Sequence, residues 1–144
     1  MQYADGKPSN GYVGKAAGLL QGEEMADISY DRITPRARSG TAGFSSDTNV
    51  EQSAGVWISP PERVAAVTVA VHIPEGETAE FAIECCCNSI DTIGSDGTGG
   101  YWDPIEWEYE SYTIDTVKMV ANAVTGIRVR CISCDSTINV CFVA

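Results

Sequence analysis

With 144 residues, of which 44% are hydrophobic and 20% charged, the chain is long enough for one stable domain and too apolar to be disordered. Nine basic against twenty acidic residues give a net charge of −11, which leaves few lysines and arginines to neutralise phosphates. Binding to nucleic acid or to an anionic membrane is therefore not expected.

The first 50 residues are rich in Gly, Ser, Ala and Asp and have little periodicity beyond one predicted helical turn at residues 15–20. Because its apolar residues stand singly, this segment has no core of its own. We predict an extended, mostly irregular N-terminal arm at residues 1–50, which either wraps its own domain or reaches onto a neighbouring subunit. The candidate interface residues of the arm are Tyr12, Leu19, Leu20, Met25, Ile28, Tyr30 and Ile33.

The N-terminal residues have neither a basic region nor an apolar core of the kind found in secretory signals, and no apolar run is long enough to span a bilayer. The expectation is a protein that is made and kept in a cytoplasm, or in a particle assembled there.

From residue 51 onward the pattern is that of short β-strands. A short apolar run at residues 56–58 ends at two prolines, and residues 63–73 alternate between apolar and polar side chains. One face of this strand is formed by Val67, Val69, Val71 and Ile73. Residues 79–88 alternate again after a turn at residues 74–77, which predicts a β-hairpin.

The C-terminal half continues the same pattern. A polar loop at residues 91–100 precedes alternating aromatic and acidic residues at 105–110, a further strand at 112–120, and two strands around a turn at Asp135 and Ser136. In a hairpin of that register Cys131 lies opposite Val140. Regularly spaced short strands without long helices predict a mainly β protein: an antiparallel, jelly-roll-like β-sandwich at residues 51–144.

The six cysteines are predicted to be reduced packing residues. Cys85, Cys86 and Cys87 alternate between the faces of a strand, so they do not converge on one ion. Cys131 and Cys134 have zinc-knuckle spacing, but a closed zinc site needs four convergent ligands. We therefore predict neither a metal nor any other cofactor.

Catalysis is not expected. His72 is the only histidine and lies mid-strand on the face opposite the apolar row, where a surface or interface role is typical. The chain has no P-loop, dinucleotide-binding fingerprint or nucleophile elbow.

Two further groups of side chains leave alternatives open. Acidic residues at 103, 106, 108 and 110 allow a calcium site or a glycosidase pair, although a solvated sheet face explains the same alternation. Tyr101, Trp102 and Trp107 form a candidate platform for stacking on a glycan, next to the more common role of such residues in cores and interfaces.

The C-terminal sequence Gly126-Ile-Arg-Val-Arg-Cys-Ile-Ser133, a polar turn, and Thr137-Ile-Asn-Val-Cys-Phe-Val-Ala144 resemble the small β-sandwich modules of tailed-bacteriophage virion proteins. The strand at residues 80–88 fits the same resemblance, and residues 11–15 and 27–29 are similar to the openings of capsid cement proteins. Cysteines replace the usual Thr, Ser or Tyr at several of these positions.

The resemblance implies a capsid decoration or cement protein. Such a protein binds the outer surface of the major capsid protein lattice as a homo-oligomer, a trimer or a dimer, and resides on the virion. A tail or fibre component that binds a glycan through Trp102, Trp107 and residues 91–100 is the alternative.

Overall fold

In the computed structural model of this chain, the described residues are 28–34, 36–37, 40, 43–61, 64–105, 109–121 and 124–144. They form ten strands and one short helix. In chain order these are β1 (Ser29–Arg32), β2 (Arg36–Ala37), β3 (Phe44–Glu51), β4 (Ala54–Ile58), β5 (Ala66–His72), β6 (Ala79–Cys86), α1 (Ile90–Ile93), β7 (Trp102–Pro104), β8 (Thr116–Ala121), β9 (Gly126–Cys134) and β10 (Thr137–Val143).

The strands form two five-stranded sheets. Sheet A has the order β1-β4-β9-β6-β7, and sheet B has the order β2-β3-β10-β5-β8. All neighbours are antiparallel except β1 and β4, which are parallel. From β3 to β10 the chain passes from one sheet to the other at every connection except that between β6 and β7, which is the topology of an eight-stranded jelly roll. The predicted fold class is confirmed.

Both predicted hairpins are wrong. The strands joined by the turn at residues 74–77, β5 and β6, lie in different sheets, and so do β9 and β10. As a result Cys131 lies opposite Phe81, whereas Val140 pairs with Thr48 and Val71. Alternation shows which face of a strand is buried, but it does not show which strand lies beside it. A short turn therefore fits a corner between sheets as well as a hairpin.

The core lies between the two sheets and is built from the inward faces that the alternation predicted. Val67, Val69 and Val71 of β5 are almost fully buried there, and Cys131 faces the same core. Each fully buried Val, Ile or Phe contributes roughly 1.5–3 kcal/mol relative to an exposed one. The largest fully buried side chains of this core are Phe44, Phe81, Phe142, Ile58, Ile83, Ile127 and Ile138.

The sandwich extends further toward the N-terminus than the predicted boundary at residue 50. That boundary falls inside β3, and β1 joins sheet A beside β4. Ile28 and Tyr30 are each only 7% exposed within their own chain, and Ile33 packs against the main core. Ile28 and Tyr30 are therefore buried within their own chain, whereas Ile33 is only partly buried. Strand β1 was not predicted from the sequence because it has only four residues, too few for a clear alternation of apolar and polar side chains.

Other predicted features of the arm lie outside the described residues. These are the helical turn at residues 15–20 and the anchors Tyr12, Leu19, Leu20 and Met25.

Candidate interaction surface

The outer face of sheet A is covered by the chain itself. A second apolar cluster lies on this face, and it contains Ile28, Tyr30, Trp57, Cys86 and Ile93 with Trp102 packed against them. Helix α1 begins after Ser89, whose hydroxyl accepts a hydrogen bond from the amide of Thr92 (3.3 Å). The loop that follows α1 is held down by the Trp57 indole, which donates to the Ser95 carbonyl (3.2 Å).

Arg128 contacts several of the residues that cover the outer face of sheet A. Its guanidinium carbon lies 4.5 Å from the ring centroid of Tyr30 and 4.3 Å from that of Trp102. Its Nε donates to Glu84 Oε1 (2.7 Å) and its Nη1 donates to the Gly97 carbonyl (2.8 Å). One side chain therefore joins β9 to β6, to β1 and to the loop after α1.

Glu84 is a buried carboxylate beside two arginines. Burial alone would raise its pKa, but the guanidinium groups of Arg128 and Arg130 together hold the pKa of Glu84 below its usual value. The Arg130 Nη2 lies 3.7 Å from Glu84 Oε2. The buried carboxylate is therefore paired with two guanidinium groups of the same chain on the outer face of sheet A.

The predicted glycan platform is divided by this arrangement. The Trp102 ring stacks on Arg128, and its Nε1 donates to the Gly99 carbonyl (2.9 Å), so Trp102 belongs to the cover of sheet A. Tyr101, next to it, is 82% exposed. Trp107 lies outside the described residues.

In contrast, the outer face of sheet B has no cover among the described residues. On the β3 side it carries small polar side chains, and the Asn139 amide there donates to Asp47 Oδ1 (2.6 Å) and to Asn49 Oδ1 (3.2 Å). Toward β8 the face becomes apolar, since Ala70 of β5 lies between Cys141 and Val117. We call this surface, from β3 to β8, the open face.

The strand β8 forms the apolar border of the open face. Val117 is 68% exposed and Met119 is 71% exposed. Lys118 points to the other side of the strand, where its ammonium lies 5.7 Å from the centroid of the Tyr112 ring. The outward side of β8 is therefore uncharged and apolar, which is unusual for an edge strand.

Sequence reasoning missed Val117 and Met119. It treated residues 112–120 only as a strand. The available signal was that apolar residues occupy both sides of the strand, which marks either a central strand or an edge with a partner.

A groove of about 470 Å³ at one end of the sandwich has only the hydroxyls of Ser59 and Thr125 as reactive side-chain groups among its lining residues. Among the described residues, no three His, Cys, Asp or Glu side chains come together as a metal ion would require. Within that same part of the chain, no helix is long and apolar enough to cross a membrane.

His72 and Asp115 form an exposed pair that fastens the segment before β8 to β5. Asp115 Oδ1 accepts from the Ile73 amide (2.8 Å), and its Oδ2 lies 2.8 Å from His72 Nδ1. The hydrogen bond from the Ile73 amide, followed by the contact with His72, lowers the pKa of Asp115. Asp115 therefore ties the residue directly before β8 to the end of β5.

The cysteines differ in their surroundings. Burial, together with a hydrogen bond to the Cys134 thiol, raises the pKa of Cys131 to about 12. Burial, with smaller effects of Cys87 and Asp103, raises the pKa of Cys85 to about 11. Cys87 is exposed.

We expect a thiol-specific disulfide reagent at pH 8 to label Cys87 at least about tenfold faster than Cys131 and Cys85, because only accessible thiolates react. Peptide mass mapping over time measures these rates. A Cys87→Ser variant should lose the fastest phase, and all six thiols should react in denaturant. Early labelling of Cys131 would contradict the buried position of its side chain.

The comparisons with known proteins gave no match: no family model, no curated protein and no solved structure is significantly similar to this chain.

Proposed function

We propose that this chain is a non-enzymatic structural protein of a virus particle, namely a capsid decoration protein. In this role it is assembled in the host cytoplasm, binds the outer surface of the major capsid protein lattice in many copies and stabilises the head. The observation that carries the proposal is the difference between the two outer faces of the sandwich: in the part of the chain that the structure describes, side chains of the chain itself close sheet A but leave the open face of sheet B uncovered.

The open face suits docking onto a protein lattice. The side chains at its centre, Ala70 and Cys141, are short, so a partner can approach the sheet closely there, and its border carries exposed apolar side chains of the kind that mark interaction sites. The sandwich behind it is rigid, because a continuous core joins the two sheets. A net charge of −11 keeps a protein of high copy number soluble and disfavours binding to the packaged nucleic acid.

The proposal is tested by adding the purified chain to heads that lack it and measuring co-sedimentation. We expect saturable binding and, by cryo-electron microscopy, density on the outer lattice with sheet B toward the capsid. The Ala70→Arg variant places a long charged side chain in the centre of the open face and should weaken binding at least about tenfold, or ~1.4 kcal/mol.

The matched control is Glu75→Arg, which introduces the same side chain at an exposed turn. It should bind like the unmodified chain. Absence of binding by the unmodified chain, or equal binding by both variants, would overturn the proposal. Density confined to a tail or fibre would favour the second candidate.

That second candidate, a glycan-binding component of a tail or fibre, is favoured by one observation, the 82% exposure of Tyr101 beside the loop at residues 91–100. Exposed aromatic rings are what sugar rings stack on. A broad glycan array, with Tyr101→Ala and Trp107→Ala as controls, tests this candidate, and an array without a specific signal eliminates it.

A further inference from the structure

Among the described residues the two sheets have four edge strands, which differ in length. Three of them are short: β1 has four residues, β2 has two and β7 has three. Short edge strands are one of the ways in which β-proteins avoid pairing with other chains. The fourth edge, β8, has six residues, contains no proline, and pairs with β5 without a register shift.

Within the described residues β8 has a partner strand on one side only. Its other side presents a row of backbone donors and acceptors next to the exposed side chains of Val117 and Met119. No outward charge protects this row, since the only charged residue of the strand, Lys118, lies over Tyr112. Of the four edges, β8 is thus the one suited to accept a further strand.

We propose that β8 pairs antiparallel with β8 of a second copy of this chain, so that two copies of sheet B form one continuous sheet. The pairing is isologous, with the two-fold axis at Met119, so that the two Met119 side chains face each other. This register places Lys118 opposite Val120 of the partner subunit. An axis at Lys118 would instead place two ammonium groups opposite each other, which is unfavourable.

The size of the contact defines what kind of dimer forms. Six residues at about 3.3 Å per residue give an edge about 20 Å long, and a sandwich of two layers is about 20 Å thick with its side chains. Contact over that area buries roughly 400 Å² per copy, or about 800 Å² in total, below the 1,200 Å² typical of stable complexes. The dimer is therefore weak in solution and requires a high local concentration.

The choice of a second copy as the pairing partner of β8 rests on the proposed multi-copy assembly, which supplies that high local concentration.

The salt dependence of binding distinguishes a second copy of this chain from a basic partner on the same edge. Two chains of net charge −11 repel each other, although the paired edge itself is uncharged. Salt screens this repulsion, so self-pairing should tighten as ionic strength rises. A basic partner on the same edge would show the opposite dependence.

Sedimentation velocity of the full chain, without capsids, tests the pairing at about 10 µM to 1 mM protein, a range suited to weak interfaces of this size. We expect a monomer–dimer equilibrium that tightens between low and moderate salt. Met119→Lys should weaken the dimer at least tenfold, because it places two like charges at the two-fold axis. Ile114→Lys is the matched control: Ile114 is equally exposed, at 71%, but precedes the strand, so dimerisation should persist.

A Met119→Cys variant tests the register. Under mild oxidation with diamide, which takes up the two thiol hydrogens as the disulfide forms, it should give a cross-link that peptide mapping assigns to residue 119 of both copies. A chain that remains monomeric throughout, a dimer that weakens with salt, or a dimer insensitive to Met119→Lys would overturn the inference. Since no capsid is present, such a failure is distinct from a failure of the decoration function, which the co-sedimentation experiment measures.

Discussion

Replacement of Glu84 by alanine is expected to lower the free energy of unfolding by about 3–5 kcal/mol, the usual cost of leaving a buried charge without its partner. The Glu84 and Arg128 side chains are only 11% and 14% exposed, and they are joined at 2.7 Å. Arg128 would keep its position between two aromatic rings and lose its counter-charge. Urea denaturation followed by tryptophan fluorescence measures the change, since Trp57 and Trp102 lie on the same face of sheet A.

Two comparisons identify the cause of this loss. Glu75→Ala removes an exposed carboxylate from the same chain and should leave stability within about 0.5 kcal/mol. Glu84→Leu combined with Arg128→Met replaces the pair joined at 2.7 Å by apolar groups and should recover the part of the loss that comes from Arg128, while Arg130 keeps its charge. A double variant as unstable as Glu84→Ala would show that the loss does not come from the unpaired charge of Arg128.

Replacement of the Glu84 carboxylate also changes the pH dependence of stability. Because the folded-state pKa of Glu84 lies below its unfolded value, its contribution is fully present above the unfolded pKa and is lost as pH falls through the folded pKa. The difference in stability between the unmodified chain and Glu84→Gln should therefore be largest near neutral pH and shrink in acid. A difference that grows in acid would contradict the assigned direction.

Several features of the fold were predictable from the sequence because they depend on local alternation. The inward residues of β5 and the position of β4 before its two prolines follow from the period of two and from the missing proline N–H. Strand partners were not predictable in this way. The inner face of β9 looks the same from the sequence whether it pairs with β10 or, as observed, lies between β4 and β6.

The candidate surface was predictable only in part. Val117 and Met119 look like core residues in the sequence, and only the position of β8 at a sheet edge leaves them exposed. Conversely, Trp102 looks like a surface platform, but Arg128, 26 residues later, uses its ring for stacking. In both cases, whether the side chain is exposed or covered depends on the arrangement of strands that are distant in sequence.

A Gly97→Ala variant is expected to lose about 2–5 kcal/mol of stability, from two separate causes. Gly97 has a φ of +72°, which costs an L-residue roughly 1–2 kcal/mol. A Cβ there would also lie 2.6 Å from Cδ1 of the fully buried Trp57, and such overpacking typically costs about 1–3 kcal/mol.

Gly76→Ala separates the two causes of that loss, because Gly76 has a similar φ of +82° but no atom within 4 Å of its added Cβ. We expect this control to lose only the conformational part, about 1–2 kcal/mol, in the same urea experiment. Equal losses in both variants would show that the loop around Gly97 yields without disturbing Trp57. A larger loss for Gly97→Ala would show that the loop is packed as part of the core, since its carbonyl also accepts from Arg128. In that case the closure of the outer face of sheet A by the loop after α1 is a stable property of the fold.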